Sequence, residues 1–367
     1  MSTVEELVGV VRRGVATPRL SQTPPARLRD RPPATPAPEV QAALTALVNH
    51  PDARRLDLRR LDLRGADLRG ARLAHARFTE SDLHDAALAG ADLTAANLAW
   101  AYLARADLTG ADLTHVVMNS AILRAATLRD TRFAHAYLRG AEFAGADCER
   151  AAFPFADLYH ADLEATVLRH ADLSHALLHR ARLAGADLRH AELSHASLVD
   201  ATLPSARLGE AVLRHADLKG ADLSSADLTG ACLAGADLGR GQASYARLDG
   251  ADLRLAAMVR LEARYATFAG ADLRHARLGV ADLRNANLTG ADLGDADLYQ
   301  TNLAGADLAD AVLDDTELRE TDLTGAFGLL ADQLRTAWIH PKTRLDPELA
   351  GHPIVRERIE RTVRRFD

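Results

Sequence analysis

The chain has 367 residues, of which 48% are hydrophobic and 26% charged, and its formal net charge is −7. Two cysteines are too few for a disulfide framework and indicate a reducing compartment. Because the sequence has no run of 18 apolar residues and no signal-peptide pattern at its start, the chain is predicted to be cytoplasmic and to have no membrane span.

The first 55 residues are predicted to form two helices joined by a linker. Thr3 and Glu6 have the spacing of a capping box and precede apolar residues at helical spacing, so residues 1–16 are predicted to form a short amphipathic helix. Residues 17–38 contain seven prolines and are predicted to be an extended or disordered linker. Residues 39–55 are predicted to contain a second amphipathic helix that caps the segment after it.

Residues 56–325 repeat with a period of five, in 54 consecutive units without an insertion or a deletion. The central residue is Leu in 44 of the 54 units, and the residue two positions earlier is Ala in 43. A period of five fits neither a helix nor a strand, so the chain must turn once per unit, with Leu and Ala pointing inward. Glycine ends 15 of the units, where a tight corner favours positive φ.

Segments such as ADLTGADL and ADLSSADLTGACLAGADL resemble the pentapeptide-repeat family. This resemblance implies an all-β solenoid, a right-handed quadrilateral β-helix, and the repeat length gives about 13.5 coils of four units. It also implies a cap at each end, which we expect to be short and α-helical. Members of this family are known as DNA-shaped rods that occupy the DNA site of gyrase.

Residues 326–367 are predicted to form a C-terminal cap followed by an amphipathic helix. One face of this helix carries an apolar stripe, which consists of Ile354, Val355, Ile359, Val363 and Phe366. The stripe is predicted either to lie on the last coil or to meet its copy in a homodimer.

Residues twenty apart are predicted to stack, which brings most histidines of the repeat into one column. This histidine column consists of His75, His115, His135, His175, His195, His215 and His275. Three interpretations remain open: a tolerated solvated corner, a pH-sensitive surface, or a metal site. Because neither a cysteine nor a regular carboxylate completes a tetrahedral site, no metal is predicted.

The sequence contains none of the common catalytic or phosphate-binding motifs, such as Gly-x-Ser-x-Gly, Gly-x-x-x-x-Gly-Lys-(Ser/Thr) or His-Glu-x-x-His. The chain is therefore predicted not to be an enzyme and to need no cofactor.

Charge is distributed unevenly along the repeat. Residues 54–77 carry eight arginines and three aspartates, net +5, whereas residues 281–325 carry eleven acidic residues and two arginines, net −9. The repeat as a whole carries net −12, so direct nucleic-acid binding is not expected.

Stacking at twenty-residue spacing is predicted to bring several carboxylates into one patch. They are Asp295, Asp297, Asp314, Asp315 and Glu317, with Glu320 on the next corner.

The sequence leaves two candidate functions for the protein. The protein either mimics DNA and binds a type II topoisomerase such as gyrase, which it inhibits or protects from poisons, or it is a scaffold whose terminal helices recruit partner proteins. The patch itself is either this mimic or an ordinary solvated charged surface.

Overall fold

The computed structural model describes residues 3–15, 35–50 and 55–366. These residues belong to two compact units, Met1–Asp187 and Leu188–Asp367. The predicted linker at 17–38 lies outside the described residues as far as residue 34. No helix in the described part of the chain is long and apolar enough to cross a membrane.

Two helices precede the repeat in the first unit, α1 (Val4–Gly14) and α2 (Pro38–Val48). α1 begins with a capping box in which Thr3 and Glu6 exchange hydrogen bonds. α2 is anchored to the repeat through Gln41, whose side chain donates to the backbone oxygen of Asp67 (2.8 Å) and accepts from its N–H (3.0 Å). α2 therefore covers backbone groups at the start of the repeat.

Within each unit the repeat forms parallel β-bridges between residues that are twenty apart. Asp67 pairs with Ala87 in the first unit, and Asp222 pairs with Gln242 in the second. The N–H of Leu68 donates to the Ala87 oxygen at 2.7 Å, as in a parallel ladder. Four five-residue units therefore separate successive partners. The total of 13.5 coils stays a prediction.

Every fifth residue from Arg55 to Gly325 has a positive φ, between 52° and 71°. The sequence predicted this corner conformation at its glycines, but most of the corners carry another residue. Asp, Asn and His adopt this left-handed region more readily than other side chains. The backbone thus helps explain why carboxylates and imidazoles are common at corners.

The inward positions form a core of Leu and Ala side chains that are almost completely buried. Each buried Leu contributes about 1.5–3 kcal/mol of hydrophobic free energy. Threonine replaces Ala at a few inward positions, where its hydroxyl donates to a backbone oxygen 23 residues earlier. Thr131, for example, donates to the Leu108 oxygen at 2.9 Å. The buried hydroxyl therefore keeps a hydrogen bond.

The second unit ends in a 3₁₀ turn (Ala331–Leu334), a one-turn helix α3 (Pro347–Ala350) and helix α4 (Pro353–Phe366). Three parallel bridges join the repeat to the chain after Gly325, and the first of them, between Asp307 and Phe327, keeps the spacing of twenty. Glu317 pairs with Trp338 and Asp322 with Arg344, at spacings of 21 and 22 residues. The chain after Gly325 therefore supplies backbone partners for the last repeat residues.

Candidate functional site: the acidic edge and the histidine column

Six carboxylates of the second unit form what we call the acidic edge. Its members are Asp295, Asp297, Asp314, Asp315, Glu317 and Glu320. Asp297 and Glu317 are bridge partners, and the N–H of Asp295 donates to the backbone oxygen of Asp314 at 2.9 Å. The ladder thus places these four residues side by side in consecutive turns.

Local hydrogen bonds orient several of these carboxylates. Asp297 accepts from the N–H two residues later at 3.0 Å, and Glu317 does the same at 2.9 Å. Asp314 accepts from the hydroxyl of Thr336 at 2.8 Å, and that hydroxyl also accepts from the Asp315 N–H at 3.3 Å. The carboxylates are therefore held in a defined arrangement.

Two members of the acidic edge have a basic neighbour. Glu320 accepts from Gln300 (2.8 Å) and pairs with Lys342 (3.0 Å), and these hydrogen bonds lower the pKa of its carboxyl group. Asp295 lies 3.8 Å from the ring nitrogen of His275. Much of the Glu320 charge is therefore compensated.

The other four members, Asp297, Asp314, Asp315 and Glu317, have no Lys or Arg partner within 4.0 Å among the described residues. Arg319 is close in sequence, but its guanidinium lies over the ring of Tyr299, 4.9 Å from the centroid. Four carboxylates on adjacent turns thus lack an ion pair with Lys or Arg in the described part of the chain. Such an edge attracts a positively charged partner and repels an acidic one.

The histidine column is a row of corner residues, and its rings stack within each unit. In the first unit His115, His135, Phe155 and His175 follow one another with ring centroids 5.1, 5.1 and 4.6 Å apart. In the second unit His195 and His215 stack at 5.3 Å. The twenty-residue register therefore brings these rings together, with Phe155 as part of the stack.

Two members of the histidine column stand apart from these stacks. His75 occupies an exposed corner with φ 59°, and His275 is next to Asp295 rather than another ring. In the described part of the chain, no three His, Cys, Asp or Glu side chains are grouped as metal ligands would be. The tolerated-corner interpretation fits the positive φ of every member.

The sequence model of the pentapeptide repeats matches most of the chain. The matched residues are 57–94, 91–130, 131–169, 166–203, 205–240, 264–298 and 291–327. The chain belongs to the pentapeptide-repeat family. Membership implies a right-handed quadrilateral β-helix, as the sequence predicted.

Solved pentapeptide-repeat proteins include several similar chains. HetL of Nostoc sp., involved in heterocyst differentiation regulation, is 34% identical, and the match covers 59% of this chain and 92% of HetL, with a TM-score of 0.35. QnrB1, a plasmid-mediated fluoroquinolone resistance protein, is 18% identical over 53% and 91% of the two chains, with a TM-score of 0.30. A protein of the Arabidopsis thaliana thylakoid lumen is 30% identical over 36% and 70%, with a TM-score of 0.13. A comparison with the curated proteins gives no match.

The pentapeptide repeat did not reveal two residues that shape the acidic edge, Thr336 and Lys342. Both belong to the segment after the repeat, where the spacing between partners becomes 21 or 22 residues. Arithmetic with a period of twenty misses these residues. Nothing in the repeat itself predicts this change in spacing.

Helix α4 of this pentapeptide-repeat protein packs on its own chain through part of the apolar stripe. Val355 is fully buried, while Ile354, Ile359 and Val363 are half-buried. The side chain of Phe366 lies outside the described residues. Homodimerisation through the stripe stays a prediction.

Arg358 of α4 also contacts the rest of the unit. It donates to the backbone oxygens of Thr336 and Ala337 (2.7 Å to Ala337), and its guanidinium lies 4.7 Å from the ring centroid of Trp338. An arginine therefore helps to hold α4 in place beside the acidic edge.

Proposed function

We propose that this protein acts through protein–protein interaction and is not an enzyme. Its acidic edge binds a DNA-binding surface of a type II topoisomerase such as DNA gyrase and thereby inhibits the enzyme or protects it from poisons. The observation that carries this proposal is the group of four carboxylates on adjacent turns that form no ion pair with Lys or Arg among the described residues. The choice of enzyme comes from the family resemblance, in which DNA-shaped rods occupy the DNA site of gyrase.

The local charge density supports mimicry at this end of the repeat. Residues 281–325 carry net −9 over 2.25 coils, which at about 4.8 Å per coil is about 11 Å. Duplex DNA carries one charge per about 1.7 Å, or about six over the same distance. Glu320 is paired with Lys342 and Asp322 with Arg344 (2.6 Å). When these two cations are counted, the net charge of this segment is still similar to that of duplex DNA of the same length.

The remaining repeat does not have this property. Residues 56–325 carry only net −12, which is less than one charge per predicted coil, whereas duplex DNA carries nearly three charges over the height of one coil, about 4.8 Å. The proposed mimicry is therefore confined to the acidic edge, and the rest of the repeat positions it.

A neutralised triple variant tests the proposal: Asp314→Asn, Asp315→Asn and Glu317→Gln. Each substitution keeps the size of the side chain and its ability to accept a hydrogen bond, so the fold should be retained. We expect the inhibition of gyrase supercoiling, or the protection of gyrase from quinolone-induced cleavage, to weaken by about tenfold or more. A circular dichroism melt checks the fold.

A matched control changes the net charge of the same unit by the same amount elsewhere. Its substitutions are Ser205→Lys, Ser225→Lys and Ala234→Lys, outside the acidic edge; Ser205 and Ser225 are exposed and Ala234 is half-buried. This control should retain most of the activity of the unmodified protein. Unchanged activity in the neutralised variant would reject the acidic edge as the binding surface and favour the scaffold function, in which the terminal helices recruit partners.

A further inference from the structure

A groove on the second unit is bordered by four basic side chains, although the unit is acidic overall. Its volume is about 810 Å³. The basic residues are Lys219, Arg240, Arg260 and Arg277. They belong to successive turns of the repeat, upstream of the acidic edge, and the proposed function does not use them.

Small residues create the groove. Gly220 occupies a corner with φ +67°, and a Cβ atom there would lie 2.6 Å from the Oδ1 atom of Asp200. At Gly239 a Cβ atom would lie 3.1 Å from a carboxylate oxygen of Asp237. The absence of a side chain at these two positions leaves a depression beside Asp200 and Asp237. Arg240, at the next corner of the same column, extends beside it.

The arginines of the groove differ from most arginines of the repeat in having no carboxylate partner. Among the described residues, no Asp or Glu oxygen lies within 4.0 Å of the guanidinium nitrogens of Arg240, Arg260 or Arg277. By contrast, Arg254 and Arg274 each bind the aspartate two residues earlier through two nitrogens, at 2.6–2.9 Å. Their charge is paired directly within the chain, whereas none of the three groove arginines forms such an ion pair among the described residues.

Two carboxylates also border the groove, Asp200 and Asp237. Asp237 is neutralised by Lys219 at 2.9 Å, and this contact with Arg277 nearby helps to hold the pKa of the Asp237 carboxyl below its usual range despite partial burial, which raises it. Lys219 is therefore committed to the protein itself. The three arginines remain for a ligand.

From this arrangement we propose that the groove binds a small molecule that carries an oligophosphate group, such as a nucleoside triphosphate. Planar guanidinium groups bind phosphate oxygens through paired hydrogen bonds. Arg240 and Arg260 follow one another in one corner column, about 4.8 Å apart along the ladder, so both guanidinium groups can contact one oligophosphate chain. Val199, Val259 and Val280 provide apolar contacts for the rest of the ligand.

The test is isothermal titration calorimetry of the full chain with sodium tripolyphosphate at low salt. The double variant Arg240→Gln, Arg260→Gln removes two of the three ligand-binding charges at exposed positions. We expect it to bind tripolyphosphate about tenfold more weakly than the unmodified protein. ATP is titrated in parallel. If ATP binds more tightly than tripolyphosphate, the valines contact the nucleoside. If the two bind equally well, the groove recognises the oligophosphate alone.

The double variant Arg207→Gln, Arg214→Gln is the matched control. These two arginines are also exposed and also lack a carboxylate within 4.0 Å in the described part of the chain, but they do not border the groove. The control should bind tripolyphosphate within about twofold of the unmodified protein. Equal loss in the two double variants, equally tight binding of citrate, or no saturable binding by the unmodified protein would overturn the proposal. The activity against topoisomerase is expected to be unchanged by Arg240→Gln and Arg260→Gln, so the two proposals fail separately.

Discussion

The start of the repeat and the acidic edge near its end differ in how their charges are compensated. In residues 55–77, three arginines each bind the aspartate two residues earlier. Arg69, for example, binds Asp67 through two nitrogens at 2.8 and 2.5 Å. At the acidic edge, four carboxylates have no such partner in the described part of the chain. Each aspartate of this segment is thus paired with an arginine, whereas the acidic edge keeps four carboxylates without such a pair among the described residues.

The sequence motif explains this difference except at Glu317, where an arginine does follow two residues later but lies over the ring of Tyr299. In Asp-Leu-Arg the aspartate and the arginine flank an inward leucine, so both side chains point outward on the same face. The acidic edge has Asp-Leu-Tyr at Asp297, and it has acidic residues at the corners Asp295 and Asp315, where the motif supplies no arginine. The two regions therefore differ in the pairing of their carboxylates as well as in the sign of their net charge.

The largest loss of stability is expected when a charged side chain is introduced at an inward position instead of an outward one. Leu223 is 1% exposed, whereas the side chain of Ser224 next to it is partly exposed. Leu223→Asp buries an unpaired carboxylate and should destabilise the fold by about 4 kcal/mol or more. Ser224→Asp should be almost without effect in the same urea-unfolding measurement. Similar losses in both variants would contradict the assignment of inward and outward positions on which the comparison depends.

Smaller changes in stability are expected when one carboxylate is neutralised in each region, and the two changes should have opposite signs. Asp67→Asn removes the ion pair with Arg69 and should lower the free energy of unfolding by about 0.5 kcal/mol, the usual size for an exposed pair. Asp315→Asn removes one of several neighbouring like charges and should raise the melting temperature slightly. Both variants are measured by thermal unfolding at low salt. A loss of stability in both would mean that the acidic edge contains a favourable ion pair.

The pH dependence should separate the regions further. The hydrogen bond from Arg69 lowers the pKa of the Asp67 carboxyl to about 2. Because this pKa is below that of the unfolded chain, the stabilising contribution is complete above about pH 4 and is lost as the pH falls towards 2. In Arg69→Gln, carboxyl NMR titration should show the Asp67 pKa returning to about 3.9. An unchanged titration would mean that Arg69 does not hold this carboxylate.

Much of the architecture could be predicted from the sequence because the repeat has a strict period. The inward Leu and Ala positions, the twenty-residue register and the positive φ of the glycine corners all follow from it. The same arithmetic placed Asp297 beside Glu317. It could not place Lys342 beside Glu320, since the spacing changes after Gly325.

The sequence analysis also did not predict the groove that is bordered by basic side chains. Its arginines lie in different units of the sequence, and each unit looks ordinary on its own. What distinguishes Arg240 and Arg260 from Arg254 is the absence of an aspartate two positions earlier, combined with the small Gly220 and Gly239 in neighbouring turns. The sequence contains both signals, but they become meaningful only when the turns are stacked.

The most direct test of the central claim is a competition measurement between this protein and DNA. Fluorescently labelled duplex DNA is bound to gyrase, the protein is titrated in, and the fluorescence anisotropy is followed at several salt concentrations. If the acidic edge occupies the DNA site, the protein should displace the duplex, its own binding should weaken steeply as salt rises, and the variant neutralised at Asp314, Asp315 and Glu317 should displace the duplex much less. A ternary complex in which gyrase holds the duplex and this protein together, insensitive to that variant, would contradict the account.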